Sequence, residues 1–105
     1  MSAVDDFMDE FAREHGFFFG LHQRRFDPVT AERALQALKR TVIGTDHGAN
    51  YRLVDLLFHA EVELSAYAHH HRDNESFDHY FNLLFSEIVE RVNAVGRLGE
   101  AMRGN

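Results

Sequence analysis

The longest helical pattern in the chain runs from Arg52 to His71 and contains neither Gly nor Pro. Its apolar residues recur at spacings of three and four, so they form one broad arc on a helical wheel. That arc consists of Leu53, Leu56, Leu57, Ala60, Leu64, Tyr67 and Ala68. Val54 and Phe58 widen the arc beyond what one helix contact requires. We therefore expect packing partners on more than one flank of this central helix.

Three other segments carry the same periodicity, and each follows a residue that caps helices well. Ser2 precedes the first segment, Asp27 and Pro28 open the second, and Asp73 or Asn74 precedes the last. Together with the central segment, the pattern predicts helices near residues 3–15, 27–43, 50–71 and 75–95.

These segments predict an all-α fold: a small four-helix bundle-like domain with a Phe-rich connecting segment after the first helix. With 105 residues, the chain is long enough for one modest hydrophobic core, so we expect a single helical domain over 1–105. Gly96 and Gly99 interrupt the last pattern. The tail, residues 96–105, is therefore predicted to be partly frayed.

The Phe-rich segment, residues 16–26, contains three consecutive phenylalanines, which fit no single amphipathic face. In one interpretation the rings fill the end of the bundle as part of the core. In the other they form an exposed aromatic surface beside two arginines. Because the four helices already supply many apolar side chains, we expect that not all three rings are buried. The candidate partner-binding residues are Phe17, Phe18, Phe19, Leu21, Arg24 and Arg25.

Composition and charge narrow the functional classes. The chain has no Cys, which excludes disulfides and thiolate metal centres. Its net charge of −6 argues against binding to duplex nucleic acid. No apolar run approaches the roughly 20 residues of a membrane span. The acidic start, MSAVDDFMDE, lacks the pattern of a signal peptide, so we expect a cytoplasmic protein.

Eight histidines raise the question of a metal site, although none is three or four residues from another, the spacing that gives one helix face two imidazole ligands. His59-x-x-x-Glu63, with His79 further on, resembles the ligand pattern of hemerythrin-like di-iron bundles at those three positions. Leu83 stands where a second histidine of that pattern belongs, and His79 falls on a polar helix face. We therefore expect no metal and no cofactor, with His59, Glu63 and His79 as the alternative ligand set.

Glu61 interrupts the apolar flank that Val54 and Phe58 begin. A buried carboxylate needs a partner or a raised pKa, so we expect an ion pair with Arg24, Arg33 or a histidine; a catalytic acid is the alternative interpretation. The chain contains no GxSxG, phosphate-loop or dinucleotide motif, which favours a protein that is not an enzyme.

These observations favour a small acidic interaction module, regulatory or inhibitory and non-catalytic, that acts through an aromatic surface. Its partner would be another protein or a second copy in a homodimer. The alternative is a metal- or small-ligand-binding helical bundle that uses histidine and carboxylate side chains of the central helix.

Overall fold

A computed structural model describes residues 2–71 and 74–103, except the side chains of residues 99–103. Within these residues the chain forms five helices and no strand, which confirms the predicted all-α fold. The helices are α1 (Ala3–Ala12), α2 (Phe17–His22), α3 (Pro28–Arg40), α4 (His47–His70) and α5 (Glu75–Arg103). No helix of the described part of the chain is both long and apolar enough to cross a membrane.

The capping residues predicted for three helices are confirmed. The side chains of Ser2, Asp27 and Asn74 each accept a hydrogen bond from a backbone N–H in the first turn of α1, α3 and α5. The Ser2 hydroxyl also donates to the Asp5 carboxylate at 2.9 Å. This hydrogen bond holds the pKa of Asp5 below its ordinary value.

Several helix boundaries differ from the predicted ones. α1 ends at Ala12 and α3 at Arg40, because Arg13 and Thr41 adopt extended backbone conformations. α4 begins at His47 rather than at residue 50, since the Asp46 side chain caps it by accepting from the backbone N–H of Ala49 at 3.1 Å. α5 continues through Gly96 to Arg103, beyond the predicted end at residue 95.

The helices pack into a flat assembly of 48 × 27 × 17 Å. α3 packs against α1 and α5, α4 packs against α5, and α2 lies against α1, α3 and α4. Packed helix axes are about 8–10 Å apart, so the shortest extent accommodates two layers of helices and no third. The largest fully buried side chains are Phe7, Phe17, Phe18, Phe77, Leu35, Leu38, Leu53, Leu57, Leu64 and Leu84.

A partly buried ion pair joins α1 to α3. Arg33 Nε lies 2.9 and 3.0 Å from the two carboxylate oxygens of Glu10, and Arg33 Nη2 lies 2.7 Å from Oε1. The Glu10 side chain is only 4% exposed. The same Arg33 Nη2 donates to the backbone carbonyl of His15 at 2.7 Å. One guanidinium therefore holds both a buried carboxylate and the chain that leaves α1, and its hydrogen bonds with Glu10 raise the pKa of Arg33.

Gly16 allows the chain to pass directly against the backbone of α1. A Cβ atom at this position would lie 2.4 Å from the carbonyl oxygen and 2.7 Å from the carbonyl carbon of Glu10. These are backbone atoms that cannot rotate away, so any side chain at residue 16 must push α1 and α2 apart. Glycine is required here by the close approach rather than by an unusual φ angle.

We expect Gly16→Ala to lower the free energy of unfolding by about 1–3 kcal/mol, the usual cost of forcing extra atoms into a packed contact. Gly96→Ala is the matched control, because a Cβ at this position in α5 meets nothing within 4 Å. Alanine favours a helix over glycine by up to about 1 kcal/mol, so the control variant should be slightly stabilised. Urea unfolding followed by circular dichroism measures both changes. Equal stability of Gly16→Ala and the wild type would contradict the close approach.

Candidate functional site

The six predicted partner-binding residues fall into a buried and an exposed group. Phe17, Phe18 and Leu21 are buried, Phe19 is half-buried, and Arg24 and Arg25 are exposed. We therefore correct the assignment of Phe17, Phe18 and Leu21 to a binding surface, because they belong to the hydrophobic core.

Two adjacent rings are buried because α2 lies between other helices. Neighbouring residues on a helix point about 100° apart, so both find cover only where the helix has partners on two sides. Phe18 stacks on Phe11 with ring centroids 4.3 Å apart and meets Phe7 edge-on at 5.5 Å. Phe17 contacts Phe26 edge-on at 6.1 Å. The Phe-rich segment thus links α1 to the interior as part of the core.

The structure does not bring together the alternative metal ligands. His59 faces Asp55 across 3.8 Å, whereas Glu63 Oε1 accepts from His22 Nδ1 at 3.1 Å. His79 is exposed on α5, where its ring lies against Tyr80. Among the described side chains, those of residues 2–71 and 74–98, no three His, Asp or Glu residues are grouped closely enough to hold a metal ion.

Glu63 and His22 instead lie in a cleft of about 320 Å³ between the Phe-rich segment and α4. Arg24 and His70 also line this cleft, and Tyr67 forms part of its apolar wall. Burial raises the pKa of Tyr67. The helical wheel could not predict the contact between His22 and Glu63, because it joins residues that are 41 positions apart.

Glu61 is not paired with either of the predicted arginines. Arg33 is held by Glu10, and Arg24 lies beside the cleft of His22. Among the described residues the buried carboxylate is Glu10, and the expectation for Glu61 is corrected accordingly. Its side chain is half-buried and lines a groove between α4 and α5.

This α4–α5 groove has a volume of about 290 Å³ and an apolar lining. It is lined by Leu57, Phe58, Glu61, Phe85, Ile88, Val89, Val92 and Asn93. Leu57 and Ile88 are buried at its floor, whereas Phe58 is 56% and Val89 43% exposed at its rim. α4 packs against both α5 and α2, which confirms the expected partners on more than one flank, although Phe58 itself stays uncovered in the described part of this chain.

We expect Phe58→Ser to change the free energy of unfolding by less than about 1 kcal/mol, since the ring is largely exposed. Phe17→Ser removes a fully buried ring and should cost about 3–5 kcal/mol or prevent folding. Thermal and urea unfolding of the two variants provides the comparison. Similar losses of stability in the two variants would contradict the exposure of Phe58.

No protein-family model, curated protein or solved structure matches this chain.

Proposed function

We propose that the protein is a non-catalytic interaction module that binds another protein through the α4–α5 groove. The observation that supports this function is the 56% exposure of Phe58 above the buried floor of the groove. Exposed aromatic side chains that border an apolar depression are typical of interface hot spots. The proposed aromatic surface is therefore formed by Phe58 at the groove, and not by the Phe-rich segment as expected from the sequence.

The form of the groove favours a helical segment as the bound element. Two antiparallel helices with a depression between them offer the kind of apolar channel that amphipathic helices occupy in helix-in-groove complexes. The lining on α5 extends from Phe85 to Asn93, a rise of about 12 Å, or about two helical turns. A bound helix would therefore place two or three consecutive apolar residues of one face into the groove.

The chemistry of the lining supports binding rather than catalysis. Among the described residues that line the groove, Glu61 alone is ionisable. The groove therefore offers no second ionisable group beside Glu61 that could activate a nucleophile or complete an acid–base pair. We infer a regulatory or inhibitory role in the cytoplasm, in which the module acts by occupying a partner's surface.

A second candidate function is a small-ligand site in the cleft of His22 and Glu63. The observation in its favour is the hydrogen bond between these side chains, with Arg24 and His70 on the same lining. It ranks below the groove because this cleft has no exposed aromatic residue and the metal ligand set is dispersed.

Photo-crosslinking tests the groove as the binding surface. Phe58→p-benzoylphenylalanine retains an aromatic ring and places the reactive ketone at the rim. Val42→p-benzoylphenylalanine is the matched control, because Val42 is also exposed but does not line the groove. We expect irradiation of cells that make the two variants to give a protein adduct from residue 58 and none from residue 42, as read by immunoblotting and mass spectrometry. Equal yields from the two positions, or no adduct from residue 58, would contradict the proposed function.

A further inference from the structure

We propose that the α4–α5 groove binds a basic amphipathic helix of a partner protein, and that Glu61 selects it by pairing with a cation on the helix's apolar face. This inference rests on the proposed function of the groove and adds the chemical class of the partner.

The position of Glu61 sets a requirement on any occupant. Glu61 is a half-buried residue in a lining that is otherwise apolar except for Asn93. A helix that covers the groove removes water from this carboxylate, and an unpaired buried carboxylate is strongly unfavourable. A partner with a purely apolar face is therefore penalised, whereas one that carries a Lys or Arg within that face compensates the charge.

The charges around the groove favour the same partner. Glu61 is the one ionisable side chain among the described residues that line the groove. Exposed Asp55, which precedes the lining on α4, and exposed Arg97, which follows it on α5, carry opposite charges and offset each other. With a net charge of −6 over the whole chain, a basic partner is attracted at long range and an acidic one is repelled.

A second copy of this chain is a poorer occupant. A two-fold symmetric dimer brings the same surface from both subunits into one interface. Each Glu61 would then meet a groove that already contains a Glu61 and offers no cation in its described lining. Since each copy carries a net charge of −6, association also works against repulsion between the two proteins. The charge distribution thus points to a different, basic protein.

Isothermal titration calorimetry of the full-length protein with two synthetic helical peptides tests this inference. Both peptides have 18 residues and the same leucine face. One carries lysine at the centre of that face and at its polar positions, and the other carries glutamate at those positions. We expect the lysine peptide to bind and the glutamate peptide not to bind. Phe58→Ser should weaken binding of the lysine peptide by about 30-fold or more, as expected for a hot-spot ring.

Glu61→Gln tests whether the Glu61 carboxylate itself selects the basic helix, apart from the attraction by the protein's overall negative charge. This variant should weaken binding of the lysine peptide by about tenfold or more, because it removes a charge-assisted contact that the bound helix shields from water. Glu90→Gln is the matched control, since it removes the same charge from an exposed position on α5 that does not line the groove, and it should cost less than about fivefold. Circular dichroism of each variant checks that its helices are retained.

The outcomes distinguish this inference from the proposed function. Equal binding of the two peptides, or equal effects of Glu61→Gln and Glu90→Gln, overturns the selection of a basic helix. The proposed function still stands in that case if crosslinking gives an adduct from residue 58. Binding of neither peptide, with a dimer in light scattering that Phe58→Ser dissociates, overturns the inference in favour of a second copy. Binding of the lysine peptide that is insensitive to Phe58→Ser places the peptide elsewhere and also overturns it.

Discussion

The ion pair between Glu10 and Arg33 is the contact on which the arrangement of the other helices depends. It joins α1 to α3 through a carboxylate that is nearly inaccessible to water, and the same guanidinium holds the backbone carbonyl of His15. The chain is thereby turned back against α1 at Gly16, where only glycine fits. Although Arg33 is 55% exposed and water screens part of the attraction, removing it would leave the Glu10 carboxylate buried without a partner.

The turn at Gly16 determines which apolar residues fill the interior. It places α2 between α1 and α4, so Phe17 and Phe18 occupy space beside Phe7 and Phe11. The flat, two-layer packing then leaves the outer flank of α4 and α5 without a covering helix in the described part of the chain. The Phe-rich segment is thus part of the core, whereas the groove between α4 and α5 stays exposed.

The elements that depend on local chemistry could be predicted from the sequence. Helical periodicity indicated the four longer helices, and side-chain caps at Ser2, Asp27 and Asn74 marked where three of them begin. Capping and amphipathicity involve residues within a few positions of one another, so they need no knowledge of the tertiary fold. The end of α5 was harder to predict because Gly96 weakens a helix without necessarily ending it.

The candidate site was less predictable, because burial depends on contacts between distant residues. The sequence shows that the chain has more apolar side chains than one helix contact requires, but not whether Phe17 or Phe58 remains outside. For the buried carboxylate a local signal did exist: Glu10 lies three residues after Phe7 and directly before Phe11, on the apolar side of α1. The pairing of His22 with Glu63 had no such local signal.

Solvent paramagnetic relaxation in an NMR experiment shows most directly which aromatic and aliphatic side chains contact water. A soluble gadolinium chelate added to the full-length protein relaxes the protons that it can approach. We expect strong relaxation of the side-chain protons of Phe58, Val62 and Val89, and almost none for Phe17 and Phe18. The opposite order, with protected Phe58 and relaxed Phe17 and Phe18, would show that the Phe-rich segment is the exposed surface and that the groove is closed.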